Sequence, residues 1–290
     1  MKQNRVKDGA MSNVKINTIV TRTASYSVLL LMTILIIIPI VWMISTSLKG
    51  EAVIYNTPPE IFPSHPTLDG FRQVWVSHPF FAYLRNSFLV VSTATFFSVC
   101  VSTFAGYGIS RFNFRGRGFY LSFLLATQLF PSIMLLIPYY KIFMVFGMVD
   151  HLSGLVIIYI SFTIPFCTWM MRGYFSGISK ELDQAAAIDG ASRTRIFRSV
   201  ILPLSLPGVA ASAIYAFIAG WNEYTFAMVF INTDEKKTVS LGIGQLIGEY
   251  RTFWNELMAG SFFALVPMLL IFIFFNRYLV SGLTAGAVKE

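Results

Sequence analysis

Apolar positions along this chain are gathered into long runs, which are separated by segments rich in polar and charged residues. Six of the runs are long enough to cross the roughly 30 Å hydrocarbon core of a bilayer, which takes about 20 residues of α-helix. The pattern therefore predicts an all-α polytopic membrane protein with six transmembrane helices. The predicted spans are Ala24–Ile44, Asn86–Ile109, Phe119–Ile137, Gly154–Met171, Leu204–Tyr224 and Leu257–Phe275.

Composition supports the same class. Hydrophobic residues make up 55% of the 290 positions and charged residues only 12%, whereas an ordinary soluble domain has roughly 25% charged residues. We expect a polar tail over residues 1–23, a transmembrane domain over 24–277 and a second tail over 278–290. The first span follows a basic segment without a small-residue cleavage site, so a retained anchor is predicted rather than a signal peptide.

The distribution of Lys and Arg predicts that both termini are cytoplasmic. With this orientation, fifteen of the 22 basic residues lie in cytoplasmic segments, as the positive-inside rule requires. The external loops are then residues 48–85, 138–153 and 225–256, and they carry most of the acidic residues. The net charge of +8 follows from this topology, and no basic cluster indicates a nucleic-acid partner.

Several functional classes lose support from what the sequence lacks. It has no G-x-x-x-x-G-K-[ST] phosphate-binding loop, and its three histidines lie outside the spans without H-E-x-x-H spacing. Cys100 and Cys167 lie inside predicted spans and are expected to be packing residues, so no metal site is predicted. Ion-coupled carriers keep ionisable residues deep in the membrane, and the nearest candidate here is Glu223, toward the outer end of the fifth span. An ion-coupled secondary carrier remains the first alternative, followed by an intramembrane enzyme or a structural membrane protein.

The segment Gln184–Pro203, QAAAIDGASRTRIFRSVILP, differs from the rest of the chain in its small and charged residues. It lies in the longest predicted cytoplasmic loop, residues 173–203. Ser179 is a plausible N-cap and Gly190 a C-terminal stop, so a short helix is predicted over Lys180–Ile188. Isolated helices shorter than roughly 12 residues are marginal in water, so contacts elsewhere must support this one.

Two interpretations of this loop follow from the residues alone. Leu182, Ala185 and Ala186 form a small apolar face that suits close approach to a partner surface. A second amphipathic stretch begins at Ser192, with apolar residues on one side and three arginines on another. The loop is either a grip for a cytoplasmic protein or a surface helix that returns the chain to the membrane.

The same segment resembles the cytoplasmic motif of the permeases of binding-protein-dependent ABC importers. In that family the loop forms a coupling helix that docks into a groove of the ATPase subunit. This sequence has Gln184 where the family most often has Glu, which keeps an acceptor oxygen but removes the charge and weakens any bond to a basic ATPase residue. The motif positions are filled by Gln184, Ala185, Ala186, Asp189, Gly190, Ala191, Leu202 and Pro203.

Two further stretches are similar to the carbohydrate-uptake branch of the family, which contains the smaller of the two maltose permeases. They are WNEYTFAMVFI at Trp221–Ile231 and VSGLTAGAVKE at Val280–Glu290. The resemblance implies the type I ABC importer permease fold in a bacterial or archaeal cytoplasmic membrane. It also implies a function, the import of a sugar of the oligosaccharide class. Three kinds of partner besides lipid are implied with it: a second homologous permease, two ATPase subunits and an extracytoplasmic sugar-binding protein.

The resemblance further implies a division of work. The chain would bind no cofactor and catalyse no reaction, because ATP and Mg would sit on the ATPase subunits. Closure of these subunits would move the coupling helix at Gln184–Gly190 as a lever, and the spans would rock between inward-open and outward-open packings.

Residues of the transport pathway are predicted from polarity, since polar groups facing lipid are costly. The alternative role of each one is interhelical hydrogen bonding or, for the tyrosine, a place in the aromatic belt. The prolines at 131, 165, 207 and 267 are interpreted as bends in the spans or as static kinks. The pathway candidates are Gln128, Asn222, Glu223 and Tyr139.

The third external loop is glycine-rich. In the permease that it resembles, a loop at this place reaches into the cleft of the binding protein, and a plain docking surface is the simpler alternative. The predicted binding-protein contacts are Gly242, Gly244, Gln245 and Gly248.

Overall fold

The computed structural model describes residues 2–248 and 250–284, and the side chains of 21–248 and 250–275. The described backbone is almost entirely helical. The predicted C-terminal motif, Val280–Glu290, lies outside the described side chains. The helices are α1 Lys2–Ser47, α2 Glu51–Ile54, α3 Asp69–Ser77, α4 Phe80–Arg111, α5 Arg117–Leu129, α6 Leu136–Val145, α7 Leu152–Gly177, α8 Glu181–Ile188, α9 Arg193–Ile196, α10 Leu202–Leu204, α11 Leu206–Trp221, α12 Thr225–Phe230, α13 Val239–Gly244 and α14 Trp254–Thr284, with 3₁₀ turns at Ser132–Leu135 and Asp234–Lys236 and a π-helical turn at Phe197–Ile201.

Among the described residues, four continuous helices are long and apolar enough to cross a membrane, or up to six if each of two bent pairs counts as one span. The predicted first, second, fourth and sixth spans correspond to Thr21–Ser47, Phe80–Arg111, Leu152–Gly177 and Trp254–Phe275. The predicted third and fifth spans fall on the bent pairs, whose halves meet at 94° and 71°.

The third span is not the single helix Phe119–Ile137 that the apolar run predicts. Helix α5 ends at Leu129, and Phe130 takes an extended conformation with ψ 125° before a 3₁₀ turn starts at Ser132. Pro131 explains the break, because proline lacks an amide hydrogen and disfavours helical geometry at the residue before it. This proline therefore ends a helix instead of bending one.

The fifth span also begins and ends at other residues than the predicted Leu204 and Tyr224. Ser205 interrupts the helix with ψ 1°, and α11 runs from Leu206 to Trp221. Pro207 lies in the first turn of α11, where a missing amide hydrogen is tolerated. By contrast, the prolines at 165 and 267 lie inside α7 and α14.

The limits of the predicted loops also differ from the structure, because the helices extend past the ends of the apolar runs. Helix α7 continues to Gly177, so the predicted cytoplasmic loop 173–203 starts inside a helix. Helix α4 begins at Phe80, within the predicted external loop 48–85. Most of the predicted external loop 138–153 is taken up by α6 and its connection to α7.

Two compact units can be distinguished. The smaller comprises the described residues up to Phe71 together with Trp254–Ala259. Within it, Lys49 donates a hydrogen bond to the carbonyl oxygen of Glu60 and places its ammonium group 4.4 Å from the centroid of the Trp42 ring. These contacts fold part of the first external loop onto the end of α1.

The larger unit comprises residues from Arg72 to Phe253 and from Gly260 onward, and its core is the pairing of α4 with α7. The two helices approach closely at Gly106, where an added Cβ would lie 2.8 Å from the Cβ of Met171. Buried hydroxyl groups join them as well, with 2.7 Å between Ser98 and Thr163. Small residues and hydroxyl pairs are a typical means of holding helices together in a membrane.

Candidate functional site

Helix α8 carries the first half of the cytoplasmic motif and matches the predicted helix to within one residue. The N-cap position is Lys180, one residue after the predicted Ser179. The hydroxyl oxygen of Ser179 still accepts a hydrogen bond from the amide of Glu181 at 3.1 Å, which satisfies one donor of the first turn. At the other end, Gly190 has φ +80°, a left-handed conformation that glycine adopts without strain. The amides of Gly190 and Ala191 donate to the carbonyl oxygens of Ala187 and Ala186, the pattern of a Schellman motif.

A buried arginine holds α8 in place. The Nε atom of Arg111, the last residue of α4, forms an ion pair with Oδ2 of Asp183 at 3.0 Å. Another nitrogen of the same guanidinium donates to the carbonyl oxygen of Ile178 at 3.0 Å. This contact cannot be predicted from the sequence, because Arg111 lies far from the motif along the chain and has no pattern that links it to Asp183.

The second half of the motif supplies the apolar anchor of the loop. Ser192 accepts a hydrogen bond from the amide of Arg195 and starts α9. The apolar side that was predicted to follow is largely buried: Ile196, Phe197 and Ile201 pack with residues of α7. Ala186 and Ala191 of the first half pack at the edge of this cluster.

The rest of α8 is exposed. Gln184, Ala185, Asp189 and Gly190 lie at the surface, and the side chain of Ile188 is 87% exposed. The predicted apolar face is therefore divided, because Ala186 turns toward the chain's own core while Leu182 and Ala185 face outward. Pro203 lies outside this surface, within α10.

The four pathway candidates are not gathered into one site. Gln128 is exposed near the end of α5, and Asn222 is exposed where it follows α11, with its amide donating to the carbonyl oxygen of Ile218 at 3.0 Å. The other two both contact α7. The hydroxyl group of Tyr139 lies 2.9 Å from that of Ser161. Glu223 accepts a hydrogen bond from Tyr159, which lies two residues before Ser161 in α7.

Both oxygens of the Glu223 carboxylate accept hydrogen bonds from within the chain. One oxygen accepts from the amide of Phe226 at 2.7 Å, and the other accepts from the amide of Ala227 at 3.1 Å and the hydroxyl of Tyr159 at 3.0 Å. These amides belong to the first turn of α12, so Glu223 caps that helix. Its own carbonyl oxygen accepts from Ser240, which ties the α11–α12 junction to α13.

The glycines of the third external loop lie in closely packed places. Gly242 and Gly244 belong to α13, a short helix inside the predicted external loop. A Cβ atom on Gly242 would lie 2.2 Å from Cδ2 of Tyr83, and one on Gly244 would lie 2.4 Å from Cε2 of Tyr224. Gly248 is equally confined, with a Cβ atom 2.2 Å from the carbonyl oxygen of Arg251.

The exposed part of this loop is a narrow turn beside α13. Residues Ile247 and Thr252 form an antiparallel bridge at its base. Gln245 and Ile247 are exposed, and the side chain of Tyr250 is 95% exposed. Of the predicted binding-protein contacts, Gln245 and Gly248 lie on this surface, and Gly242 is buried.

The N-terminal end of α4 holds the segment before α13. Tyr83 donates a hydrogen bond to the carboxylate of Asp234 at 2.9 Å. The amide nitrogen of Asn86 donates to the carbonyl oxygens of Glu235 at 2.7 Å and Lys237 at 3.1 Å. One turn of α4 thus holds three of the four residues from 234 to 237.

Asp150, between α6 and α7, fixes the other side of this segment. Its carboxylate accepts hydrogen bonds from the amides of Asn232 and Thr233, both at 2.9 Å, and forms an ion pair with Lys236 at 2.9 Å. Burial alone raises the pKa of Asp150, but the hydrogen bonds from Thr233, Lys236 and Asn232 outweigh it and hold the pKa well below its ordinary value. The carboxylate therefore stays charged and bonded at neutral pH.

Comparison with known proteins gives a family and a fold. Residues 98–284 match the family described as "Binding-protein-dependent transport system inner membrane component". The chain is 36% identical to the trehalose/maltose transport system permease protein MalG of Thermococcus litoralis, with 90% of this chain and 94% of the relative covered. It is 33% identical to the sulfoquinovosyl glycerol transport system permease protein SmoH of Agrobacterium fabrum (87% and 88% covered) and 32% identical to the maltodextrin transport system permease protein MdxG of Bacillus subtilis (96% and 99% covered).

A solved structure shares the fold. It is a bacterial ABC transporter involved in the import of the acidic polysaccharide alginate, matched with a TM-score of 0.76 over 89% of this chain and 96% of that chain at 20% identity. None of these four proteins is described as an ion-coupled carrier. That alternative therefore gains no support.

Proposed function

Because the chain belongs to the family of binding-protein-dependent transport system inner membrane components, we propose that it is the membrane-spanning subunit of an importer for a sugar. An extracytoplasmic binding protein delivers the sugar, and separate subunits hydrolyse ATP. The named relatives support the substrate class, since they serve trehalose and maltose, sulfoquinovosyl glycerol, and maltodextrin. The membrane is the cytoplasmic membrane of a bacterium or an archaeon.

The observation that carries this proposal is the exposed surface of α8. A helix of 8 residues is marginal by itself, yet this one is hydrogen-bonded at both ends, tied to α4 and turned so that Leu182, Ala185 and Ile188 face away from the chain's own core. Side chains three or four residues apart share one side of a helix. The result is a rigid knob of small and apolar residues that fits a groove of a partner protein, and the ATPase subunit is the partner that the family provides.

The mechanism follows from this docking. Two ATPase subunits hold ATP and Mg, and a second homologous permease completes the membrane part of the complex. Closure of the ATPase pair on ATP displaces α8, and the attached helices shift from an inward-open to an outward-open packing. This chain supplies the path and the lever and makes no covalent change in either ATP or sugar.

The proposal is tested in proteoliposomes that contain this chain, its partner permease and the ATPase, with binding protein and a panel of sugars. The variant Gly190→Arg places a large side chain on the α8 surface, where an added Cβ meets nothing within 4 Å of the chain. Gly190→Ala is the matched control, because alanine meets the same backbone strain at φ +80° and stays small.

We expect binding protein loaded with its sugar to stimulate ATP hydrolysis in the wild type and in Gly190→Ala, and not in Gly190→Arg. Equal stimulation of all three would show that α8 is not the coupling element. Sugar uptake that follows an ion gradient and needs no ATPase would replace the importer with an ion-coupled carrier.

A further inference from the structure

The guanidinium group of Arg111 lies in an unusual place for the end of a membrane helix. Arginines at such ends usually extend into water or toward lipid headgroups. The side chain of Arg111 is instead 6% exposed and lies against the turn that joins α7 to α8. A charge this well buried must be paired, because an isolated one is very costly. Nε of Arg111 and Oδ2 of Asp183 have no hydrogen-bond partner among the described residues, so charge attraction across 3.0 Å is what joins them.

Its two contacts bracket the start of the coupling helix. The hydrogen bond to the carbonyl oxygen of Ile178 holds the residue that follows α7, and the ion pair with Asp183 holds the first turn of α8. The hydrogen bond that Ser179 accepts lies between these two points. One side chain of α4 therefore fixes both the exit from α7 and the entry into α8.

Aromatic contacts join the second half of the loop to the same turn of α4. The ring of Tyr107 lies 5.7 Å from that of Phe175 in α7 and 4.7 Å from that of Phe197 in the π-helical turn, measured between centroids. Arg193 places its guanidinium 5.4 Å from the centroid of Phe112, which follows α4 directly. The two halves of the motif, α8 and the segment from Arg193 to Phe197, are thus both attached to residues 107–112.

We propose that Arg111 is a positioning residue for ATPase coupling: by pairing with Asp183 it locks the coupling helix to α4, so that a displacement of α8 moves α4. The inference rests on the proposed function, and it adds a residue outside the motif to the coupling machinery. Helix α4 then carries the displacement across the membrane to the external segment that Tyr83 and Asn86 clamp. The ion pair of Arg111 and the hydrogen bonds of Tyr83 and Asn86 lie at opposite ends of this 32-residue helix.

The test compares Arg111→Gln, Asp183→Asn and the charge exchange Arg111→Glu/Asp183→Arg in the assembled complex. Arg115→Gln is the matched control, since it removes an exposed arginine just beyond α4. Two properties are measured. The first is amide hydrogen exchange of α8, residues 181–188, compared with exchange of α7. The second is the ratio of binding-protein-stimulated to basal ATP hydrolysis, together with the KM for ATP. Asp183→Asn keeps the shape of the side chain and serves if Arg111→Gln does not assemble.

We expect both single variants to raise exchange in α8 by about tenfold, because α8 then opens locally without α7. The stimulated rate should fall several-fold while the KM for ATP stays constant, since ATP binds to other subunits. The charge exchange should recover part of the stimulation, and Arg115→Gln should behave as the wild type.

Wild-type exchange and wild-type stimulation in both single variants would overturn the inference and leave the proposed function standing. Absence of stimulation in the wild type would instead overturn the proposed function. In that case the exchange of α8 still decides whether Arg111 holds it.

Discussion

Tyr159 of α7 donates its hydroxyl proton to Oε2 of Glu223 across 3.0 Å, and the same carboxylate caps the first turn of α12. Both oxygens of the carboxylate thus accept hydrogen bonds from within the chain. Glu223 thus connects the end of α11 to α7 and α12 through hydrogen bonds. Its predicted part in the transport pathway remains a prediction, and the two roles differ in what a substitution does.

If Glu223 has this structural role, Glu223→Gln should lower the free energy of unfolding by about 1–3 kcal/mol. The side-chain NH₂ of glutamine would replace one carboxylate oxygen and face a group that itself donates a hydrogen bond. Thermal unfolding of the purified complex measures the loss. Tyr159→Phe removes one of the three bonds and should cost less. A variant of Glu223 with unchanged stability and an altered sugar dependence of transport would favour the pathway role.

Gly242→Ala should destabilise the external segment. The new Cβ would lie 2.2 Å from the ring of Tyr83, and that ring is held by the bond to Asp234 and by an edge contact with Phe80. Overpacking of this kind costs roughly 1–3 kcal/mol. The control is Gly108→Ala in α4, where an added Cβ meets nothing within 4 Å and alanine favours the helix.

Thermal unfolding of both variants checks this prediction. If Gly242 instead serves as a flexible point of a loop that enters the binding protein, Gly242→Ala would leave the melting temperature unchanged and lower only the stimulation of ATP hydrolysis.

The parts of the fold that the sequence predicts well depend on local signals. Four spans are continuous because their apolar runs are long and uninterrupted or have proline where the helix continues around it. Helix α8 was located to within one residue because Ser179 and Gly190 mark its two ends. Both signals act within a single turn of the chain, so no tertiary information is needed.

The remaining features depend on contacts between distant segments. Pro131 and Pro165 look alike within their apolar runs, yet one ends a helix and the other lies inside one. Gly242 has the appearance of a flexible residue and is in fact a site of close approach to Tyr83. The pairing of Arg111 with Asp183 joins residues on different helices, and no pattern in either segment indicates it.

Asp150→Asn should weaken the external segment in a pH-dependent manner. Asp150 has φ +61°, which asparagine tolerates, so the variant changes the charge and leaves the backbone unstrained. Hydrogen bonds to a charged group contribute about 1.5–3 kcal/mol. The wild type should therefore unfold at a higher temperature than the variant at neutral pH.

The sign of the pH effect follows from the lowered pKa of Asp150. The stabilisation is fully present above the pKa of the unfolded state and is lost as pH falls through the folded pKa. The difference between wild type and variant should be constant from pH 8 to about 5 and shrink below about 4. A difference that stays constant in acid would show that the charge of Asp150 is not what stabilises the segment.

The turn beside α13 should dock the binding protein through Tyr250. This side chain is 95% exposed, so it supports little of its own chain, while exposed tyrosines are frequent anchors of protein interfaces. Tyr250→Ala should raise the concentration of binding protein needed for half-maximal stimulation of ATP hydrolysis by about 3–10-fold, which corresponds to about 1 kcal/mol. Basal hydrolysis and melting temperature should not change.

Phe62→Ala serves as the control, because it removes an aromatic side chain that is 76% exposed in the predicted first external loop. An equal shift in both variants would mean that loss of any exposed external aromatic weakens docking, and no shift in Tyr250→Ala would place the binding-protein contact elsewhere.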